Sequence, residues 1–188
     1  MTDPEALVEM LVEVGTLKRM QRTGWAMRGV AYVESIADHV CCTAFVALAL
    51  ADVLNGDGHD LDVEQVVVTA LLHDLAEVRL TDLPASAARL IPAEVKSRAE
   101  AEAMAGLLAP LPGGGRLLAL WQAFEERDSP EGRLVRDADK LEMMVQCLRY
   151  ELAGSRGLDE FWQSIDGLEW HYALSAGLYR RLREMRPG

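Results

Sequence analysis

The sequence has few cysteines, few aromatic residues and fewer basic than acidic residues. Its three cysteines, Cys41, Cys42 and Cys147, form no CxxC pair, which argues against a disulfide framework and a thiolate zinc site. Aromatic residues make up 6% of the 188 positions, and leucine, alanine, valine and glutamate dominate. That mixture favours helices over sheets.

The small number of basic residues limits the kinds of molecule that the protein can bind. There are 19 Lys and Arg against 30 Asp and Glu, and the net charge is −11. A phosphate backbone demands clustered Lys and Arg, so we expect no nucleic-acid partner, whereas a small phosphorylated substrate needs only a few local cations. The first residues, MTDPEALVEMLVEVG, carry acids where a signal peptide carries bases, and apolar stretches such as CCTAFVALALADVL are shorter than a membrane span. We therefore expect a cytoplasmic protein with no membrane partner.

Apolar residues recur at helical spacing along the chain, and no run alternates with period two for long enough to form a convincing strand. Asp62 followed by Gln65 resembles a capping box, and Ser129 before Pro130 is typical of a helix start. The sequence predicts one all-α domain over residues 1–188 with about seven to eight helices, a motif-bearing core at about 17–153 and C-terminal helices at about 158–185. The predicted helices are 4–20, 38–54, 62–79, 92–109, 115–127, 129–153, 158–165 and 167–185.

One predicted helix carries polar residues in an otherwise apolar run. The stretch TALLHDLAEVRLTDLP contains His73, Asp74, Glu77 and Asp82. On a helix His73 and Glu77 share a face, and Asp74 points about 100° away. Burying an ionised carboxylate without a partner costs several kcal/mol, so a neighbouring group or a cation must compensate.

Two other predicted helices offer residues of the same kind. His39 begins the most apolar helix, in SIADHVCCTAFVALAL, and Asp137 and Asp139 lie in GRLVRDADKLEMM. A single histidine on an apolar helix is usually a hydrogen-bonded core residue. Three separate helices that each contribute such a residue are harder to explain by packing, and they favour a metal site with nitrogen and oxygen ligands.

Four ordered segments resemble the HD-domain metal-dependent phosphohydrolases, and most closely their 5′-deoxynucleotidase branch. The segments are LKRMQRTGWAMRGV, ESIADHV, LLHDLAEVRLTDLP and DADKLEMMVQCLRYE, which run from residue 17 to about 151. The resemblance implies an HD-type helical bundle, hydrolysis of deoxynucleoside 5′-monophosphates and a homodimer. It also implies four metal ligands, His39, His73, Asp74 and Asp139. Asp139 is preferred to Asp137 because the family's aspartate lies three residues before the position of Glu142.

The same resemblance implies roles for further residues. Glu77 and Asp82 match the catalytic acids beside the substrate phosphate and the attacking water. Arg22, Trp25 and Arg28 fall in the segment that resembles the substrate-binding loop, although Thr23 and Gly24 separate an Arg–Trp pair that is adjacent in some members. A site of two imidazoles and two carboxylates suits one divalent ion, Mn²⁺, Co²⁺ or Fe²⁺, with Mg²⁺ or Zn²⁺ as alternatives.

Other interpretations stay open at this point. The same metal site could serve another phosphorylated metabolite, a nucleotide pyrophosphate or a non-catalytic role. Glu77 could be a surface residue paired with Arg79 or Lys96. The second HD dipeptide, at residues 59–60, lies in the polar stretch NGDGHDLD and is interpreted as a turn, and His171 is interpreted as structural or exposed.

Overall fold

The computed structural model describes residues 3–127 and 129–187, and within them the secondary structure is helical, without a strand. Eight helices have seven or more residues, and three have four, so the all-α prediction is confirmed. A 3₁₀ turn, Gly15–Lys18, follows the first helix, which ends earlier than the predicted residue 20. The helices are α1 (Pro4–Val14), α2 (Thr23–Ala26), α3 (Ile36–Gly56), α4 (Val63–Leu72), α5 (Glu77–Leu80), α6 (Ala85–Ala88), α7 (Ala93–Leu108), α8 (Gly114–Glu126), α9 (Pro130–Leu152), α10 (Asp159–Ile165) and α11 (Ala173–Glu184).

Side-chain caps fix where the three central helices begin. Ser35 accepts a hydrogen bond from the Asp38 N–H, and the Asp38 carboxylate accepts one from the Ser35 N–H. This capping box starts α3 two residues before the predicted start. Asp62 caps α4 and Ser129 caps α9, as the sequence indicated.

The helix predicted over 62–79 is interrupted in the structure, because α4 ends at Leu72 and a separate short helix, α5, begins only at Glu77. The following residues form turns with i to i+3 hydrogen bonds, such as Glu77 N–H to Asp74 O at 3.1 Å. The His73 ring provides a physical reason. Its Nδ1 lies 2.7 Å from the carbonyl oxygen of Ala70, the acceptor that a continuing helix would offer to the Asp74 N–H. The helix predicted from 167 likewise begins only at Ala173.

The core lies between α3, α4 and α9, which pack against one another. Fully buried residues from each helix meet there, including Ala47, Val66, Leu134 and Ala138. Burial of a side chain of valine or leucine size contributes about 1.5–3 kcal/mol, so this interface fixes the relative positions of the three helices. Because His39 lies on α3, His73 directly follows α4 and Asp139 lies on α9, the same packing positions the predicted site.

Helix α3 has the length and composition of a membrane span, with a mean hydropathy of 1.7 over its best window. This differs from the expectation that the apolar stretches are too short. In the structure 44% of that window is buried inside the protein, and the helix packs on α4, α9 and α11. We therefore interpret α3 as the central core helix of the domain.

Candidate active site

His39 lies at the centre of the polar cluster. The first turn of α3 carries it, and it is fully buried. Its Nε2 atom lies 3.3 Å from His73 Nε2, 3.3 Å from Asp139 Oδ1 and 3.5 Å from Asp74 Oδ2. The structure thus brings together the four side chains that the sequence proposes as metal ligands. Their role as ligands stays a prediction.

Both histidines present the same nitrogen to this cluster. His39 Nδ1 lies 2.6 Å from Glu142 Oε2, and His73 Nδ1 lies 2.7 Å from the Ala70 carbonyl oxygen. A carboxylate and a carbonyl accept hydrogen bonds, so each Nδ1 carries a proton and each Nε2 is the nitrogen that faces the shared point. Sequence reasoning used Glu142 only to align Asp139 and missed its contact with His39. The signal was its position one helical turn after Asp139.

The electrostatics of the cluster suit a cation. Burial opposes ionisation of Asp139, yet Lys140 and His39 hold its pKa well below the ordinary value. Burial also disfavours a charged His39, but its hydrogen bonds to Asp139 and Glu142 raise the pKa of this imidazole to about 10. A site that stabilises a positive charge so strongly also favours a metal ion. One donor atom each from His39, His73 and Asp74 lie within 4.8 Å of one another, so the residues present fit a divalent ion.

Arg22 forms the polar rim of the cluster. Its terminal nitrogen lies 3.2 Å from Asp74 Oδ2, 3.2 Å from Asp82 Oδ1 and 3.9 Å from Glu77 Oε1. Burial disfavours the charged guanidinium, but the surrounding carboxylates keep the pKa of Arg22 above its ordinary value. Asp82 also accepts a hydrogen bond from the Thr23 N–H, and its carbonyl accepts one from the Thr23 hydroxyl at 2.8 Å. Asp82 therefore ties the start of α2 to the site.

Glu77 carries a carboxylate with unused hydrogen-bonding capacity. Within the described part of the chain its Oε2 atom is buried and has no hydrogen-bond partner. Burial, followed by repulsion from Asp74, raises the pKa of Glu77 to about 9. The alternative that Glu77 is a surface residue paired with Arg79 or Lys96 is wrong, because Arg79 pairs with Glu13 and Lys96 pairs with Glu100.

A cavity of about 250 Å³ opens at this cluster. Glu77 lines it together with His73, Asp74 and Asp139. Glu77 thus lines the same space as three of the proposed ligands. That position suits a group that orients a water molecule or takes its proton.

The two other residues of the predicted substrate loop have different environments. Trp25 is buried, donates from Nε1 to Glu34 Oε1 at 2.8 Å and packs its ring on Phe161 with centroids 4.0 Å apart. It also lines a second cavity of about 420 Å³ that Arg22 and Asp82 share. Arg28 forms an ion pair with Glu160 near the surface and lines a separate cavity of about 170 Å³. The substrate-binding role of Arg28 is thus the least supported of the three.

The structure also separates the two aspartates of α9. Asp137 is buried and accepts hydrogen bonds from the backbone N–H groups of His171 and Tyr172, at 3.2 and 3.1 Å. The His171 ring contacts the same carboxylate at 2.9 Å. Asp137 thus fixes the segment before α11, and Asp139 is the aspartate that faces His39.

An all-α domain with His, His–Asp and Asp residues converging from three helices defines the class of HD domains. The chain belongs to the HD domain family, whose model matches residues 14–166. It is similar to the 5′-deoxynucleotidase HDDC2 of Danio rerio, with 36% identity over 184 residues that cover 96% of this chain and 88% of the relative. The human protein of the same name is 37% identical over 166 residues, covering 86% of this chain and 78% of the relative.

A solved structure is similar over nearly the whole chain. The PH0347 protein of Pyrococcus horikoshii OT3 is 40% identical, with a TM-score of 0.79, and the match covers 95% of this chain and 97% of that one. The HD-type bundle predicted from the sequence is therefore confirmed. The prediction that residues 1–188 form one domain stays a prediction.

Proposed function

We propose that this chain is a metal-dependent 5′-deoxynucleotidase, which hydrolyses deoxynucleoside 5′-monophosphates to deoxynucleoside and phosphate. The observation that carries the proposal is the convergence of His39 Nε2, His73 Nε2, Asp74 Oδ2 and Asp139 Oδ1 next to a cavity. The relatives that match most of the chain are named 5′-deoxynucleotidases, which supports the same reaction.

These four side chains would hold one divalent ion. Two imidazole nitrogens and two carboxylate oxygens suit Mn²⁺, Co²⁺ or Fe²⁺, with Mg²⁺ or Zn²⁺ as alternatives. When bound, such an ion polarises the phosphoryl group and lowers the pKa of a water molecule. The Nδ1 hydrogen bonds of both histidines hold the rings in the orientation that binding requires.

The remaining predicted residues would have different roles around the ion. A cation held by the neighbouring ligands would favour the ionised form of Glu77, which would orient the attacking water and accept one of its protons. As the water oxygen bonds to phosphorus and the bond to the 5′-oxygen breaks, Glu77 would pass that proton to the 5′-oxygen, which leaves as an alcohol. Asp82 would act close to it by holding Arg22, whose guanidinium faces the phosphate. Trp25 would form the wall beside the sugar, and Arg28 would lie on the rim. General acid–base catalysis of this kind contributes about 10²–10⁴-fold to the rate.

A pyrophosphate substrate would need more free positive charge than a monophosphate. Three cations line the cavity at Glu77, and two of them are already engaged, which leaves Lys140 alone to meet an added phosphate group. Arg136 donates to the carbonyl oxygens of Phe124 and Glu125, and Lys96 pairs with Glu100. This favours a monophosphate. Glu77 on the cavity wall, whose Oε2 atom has no hydrogen-bond partner among the described residues, favours a catalytic over a non-catalytic metal site.

The partners and location are part of the proposal. Exposed apolar side chains on α3, with Phe45 at 71% exposure, would supply apolar area for a homodimer. The net charge of −11 supports the absence of a nucleic-acid partner. A cytoplasmic location belongs to the same proposal.

Phosphate release tests the proposal. The protein is treated with chelator, restored separately with Mn²⁺, Co²⁺, Mg²⁺ or Zn²⁺, and offered deoxynucleoside and ribonucleoside 5′-monophosphates, a 3′-monophosphate and a triphosphate. We expect metal-dependent release from the 5′-deoxymonophosphates that Glu77→Ala and Asp139→Asn abolish. Restored metal binding without release from any of these compounds would contradict the proposal.

A further inference from the structure

We propose that Lys140 binds the phosphoryl group of the substrate, an inference that rests on the proposed function and deepens it. Lys140 follows Asp139 on α9 and lines three cavities, of about 250, 420 and 490 Å³. The first contains Glu77 and His73, the second contains Trp25, and the third contains Asp139. Lys140 therefore borders three of the cavities around the proposed site.

The other cations at the first two of these cavities already have partners, and Arg127 lines only the third. Arg22 is surrounded by the three carboxylates of Asp74, Glu77 and Asp82. Arg136 lies over the Phe124 ring, 4.3 Å from its centroid, and donates to main-chain carbonyl oxygens. Lys96 pairs with Glu100 one helical turn away.

Lys140 retains donors that its protein contacts do not use. Its Nζ atom lies 2.9 Å from Asp139 Oδ2, the one hydrogen-bond partner it has among residues 3–127 and 129–187. An ammonium group has three N–H donors, so two remain. The side chain is 42% exposed, so a ligand can reach those donors.

The acidic surroundings of the site favour such a cation in addition to the proposed metal ion. A phosphate monoester dianion meets the carboxylates of Asp74, Glu77, Asp82 and Asp139. Asp74 and Asp82 each lie 3.2 Å from Arg22, so two carboxylates already offset its single positive charge before the substrate arrives. Lys140 faces a single carboxylate, and it therefore offers the dianion a positive charge that is not shared among several acids.

Binding of inorganic phosphate to the Mn²⁺-loaded protein tests the inference without turnover. Loss of a hydrogen bond to a charged group weakens binding by about 10–100-fold, so titration calorimetry of Lys140→Met should show a loss in this range. Lys140→Arg, which keeps the positive charge, should retain part of the phosphate affinity that Lys140→Met loses. Lys96→Met is the matched control, since it removes a lysine that lines the same cavity but is engaged by Glu100, and its phosphate affinity should stay within about threefold of wild type.

A second measurement separates phosphate binding from a structural role. Lys140 contacts Asp139, so the Mn²⁺ affinity of each variant is measured as well, and we expect it to change far less than the phosphate affinity. Equal phosphate affinity in wild type and Lys140→Met, no phosphate binding by the wild type, or parallel losses of metal and phosphate would each overturn the inference. If Lys140→Met loses phosphate but the wild type hydrolyses no 5′-monophosphate, this inference stands and the proposed function fails.

Discussion

Removal of the Glu142 carboxylate should weaken metal binding although Glu142 is not itself a proposed ligand. Glu142 Oε2 lies 2.6 Å from His39 Nδ1, and both side chains are buried, with 5% and 0% exposure. A carboxylate that accepts the second N–H of a ligating histidine fixes the ring and increases its basicity, and loss of such a partner costs about 10–100-fold in metal affinity. Glu142→Gln can still accept this hydrogen bond, so its loss of metal affinity should be about 10-fold, the lower end of that range. Glu142→Ala leaves a buried N–H without a partner and should lie at the upper end.

The assay is a Co²⁺ or Mn²⁺ titration in competition with a chromophoric chelator. Glu151→Gln is a suitable control, because Glu151 is also a buried carboxylate on α9 but pairs with Arg186 and Trp162. It should lower stability and leave metal affinity unchanged. If the Glu142→Ala protein folds and binds the metal as tightly as wild type, the contact with Glu142 does not orient His39 for metal binding.

Three further predictions follow from single side chains. Glu77→Gln should reduce turnover by about 10²–10⁴-fold with metal affinity retained, and unchanged initial rates would contradict its role as base. Asp137→Asn should lower the free energy of unfolding in urea by about 1–3 kcal/mol, because a buried carboxylate there accepts from two backbone N–H groups, with no loss of metal binding. Burial raises the pKa of the Cys147 thiol to about 12, so alkylation of the native protein at pH 8 should modify the exposed Cys41 and Cys42 and spare Cys147. Three adducts on native protein by mass spectrometry would contradict the last prediction.

Features of local structure could be predicted from the sequence where the contacts that cause them join residues only a few positions apart. The caps at Asp62 and Ser129 follow from side chains that reach N–H groups three residues ahead. The pattern of apolar positions predicted the eight longer helices for the same reason. The end of α4 was missed because a side-chain contact, the His73 ring on the Ala70 carbonyl, competes there with a regular helical pattern.

The site required contacts between residues far apart in the chain. His39 and Glu142 are separated by 103 positions, and Arg22 and Asp82 by 60. The sequence shows that these residues have imidazole, carboxylate and guanidinium groups suited to such a site. Only the packing of the helices, such as α3 against α9, shows which of these groups contact one another. The choice between Asp137 and Asp139 illustrates this, since resemblance alone selected Asp139 and the structure adds the separate task of Asp137.

The most direct test of this account is the stoichiometry and location of the bound metal. Equilibrium dialysis of chelator-treated protein against Co²⁺, followed by absorption spectroscopy, counts the ions and reports their coordination. We predict one Co²⁺ per chain with the weak visible bands of a six-coordinate site, lost in both His39→Ala and Asp139→Asn. One tightly bound ion that survives both substitutions, or no binding by the wild type, would contradict the assignment of the His–Asp cluster as the metal centre.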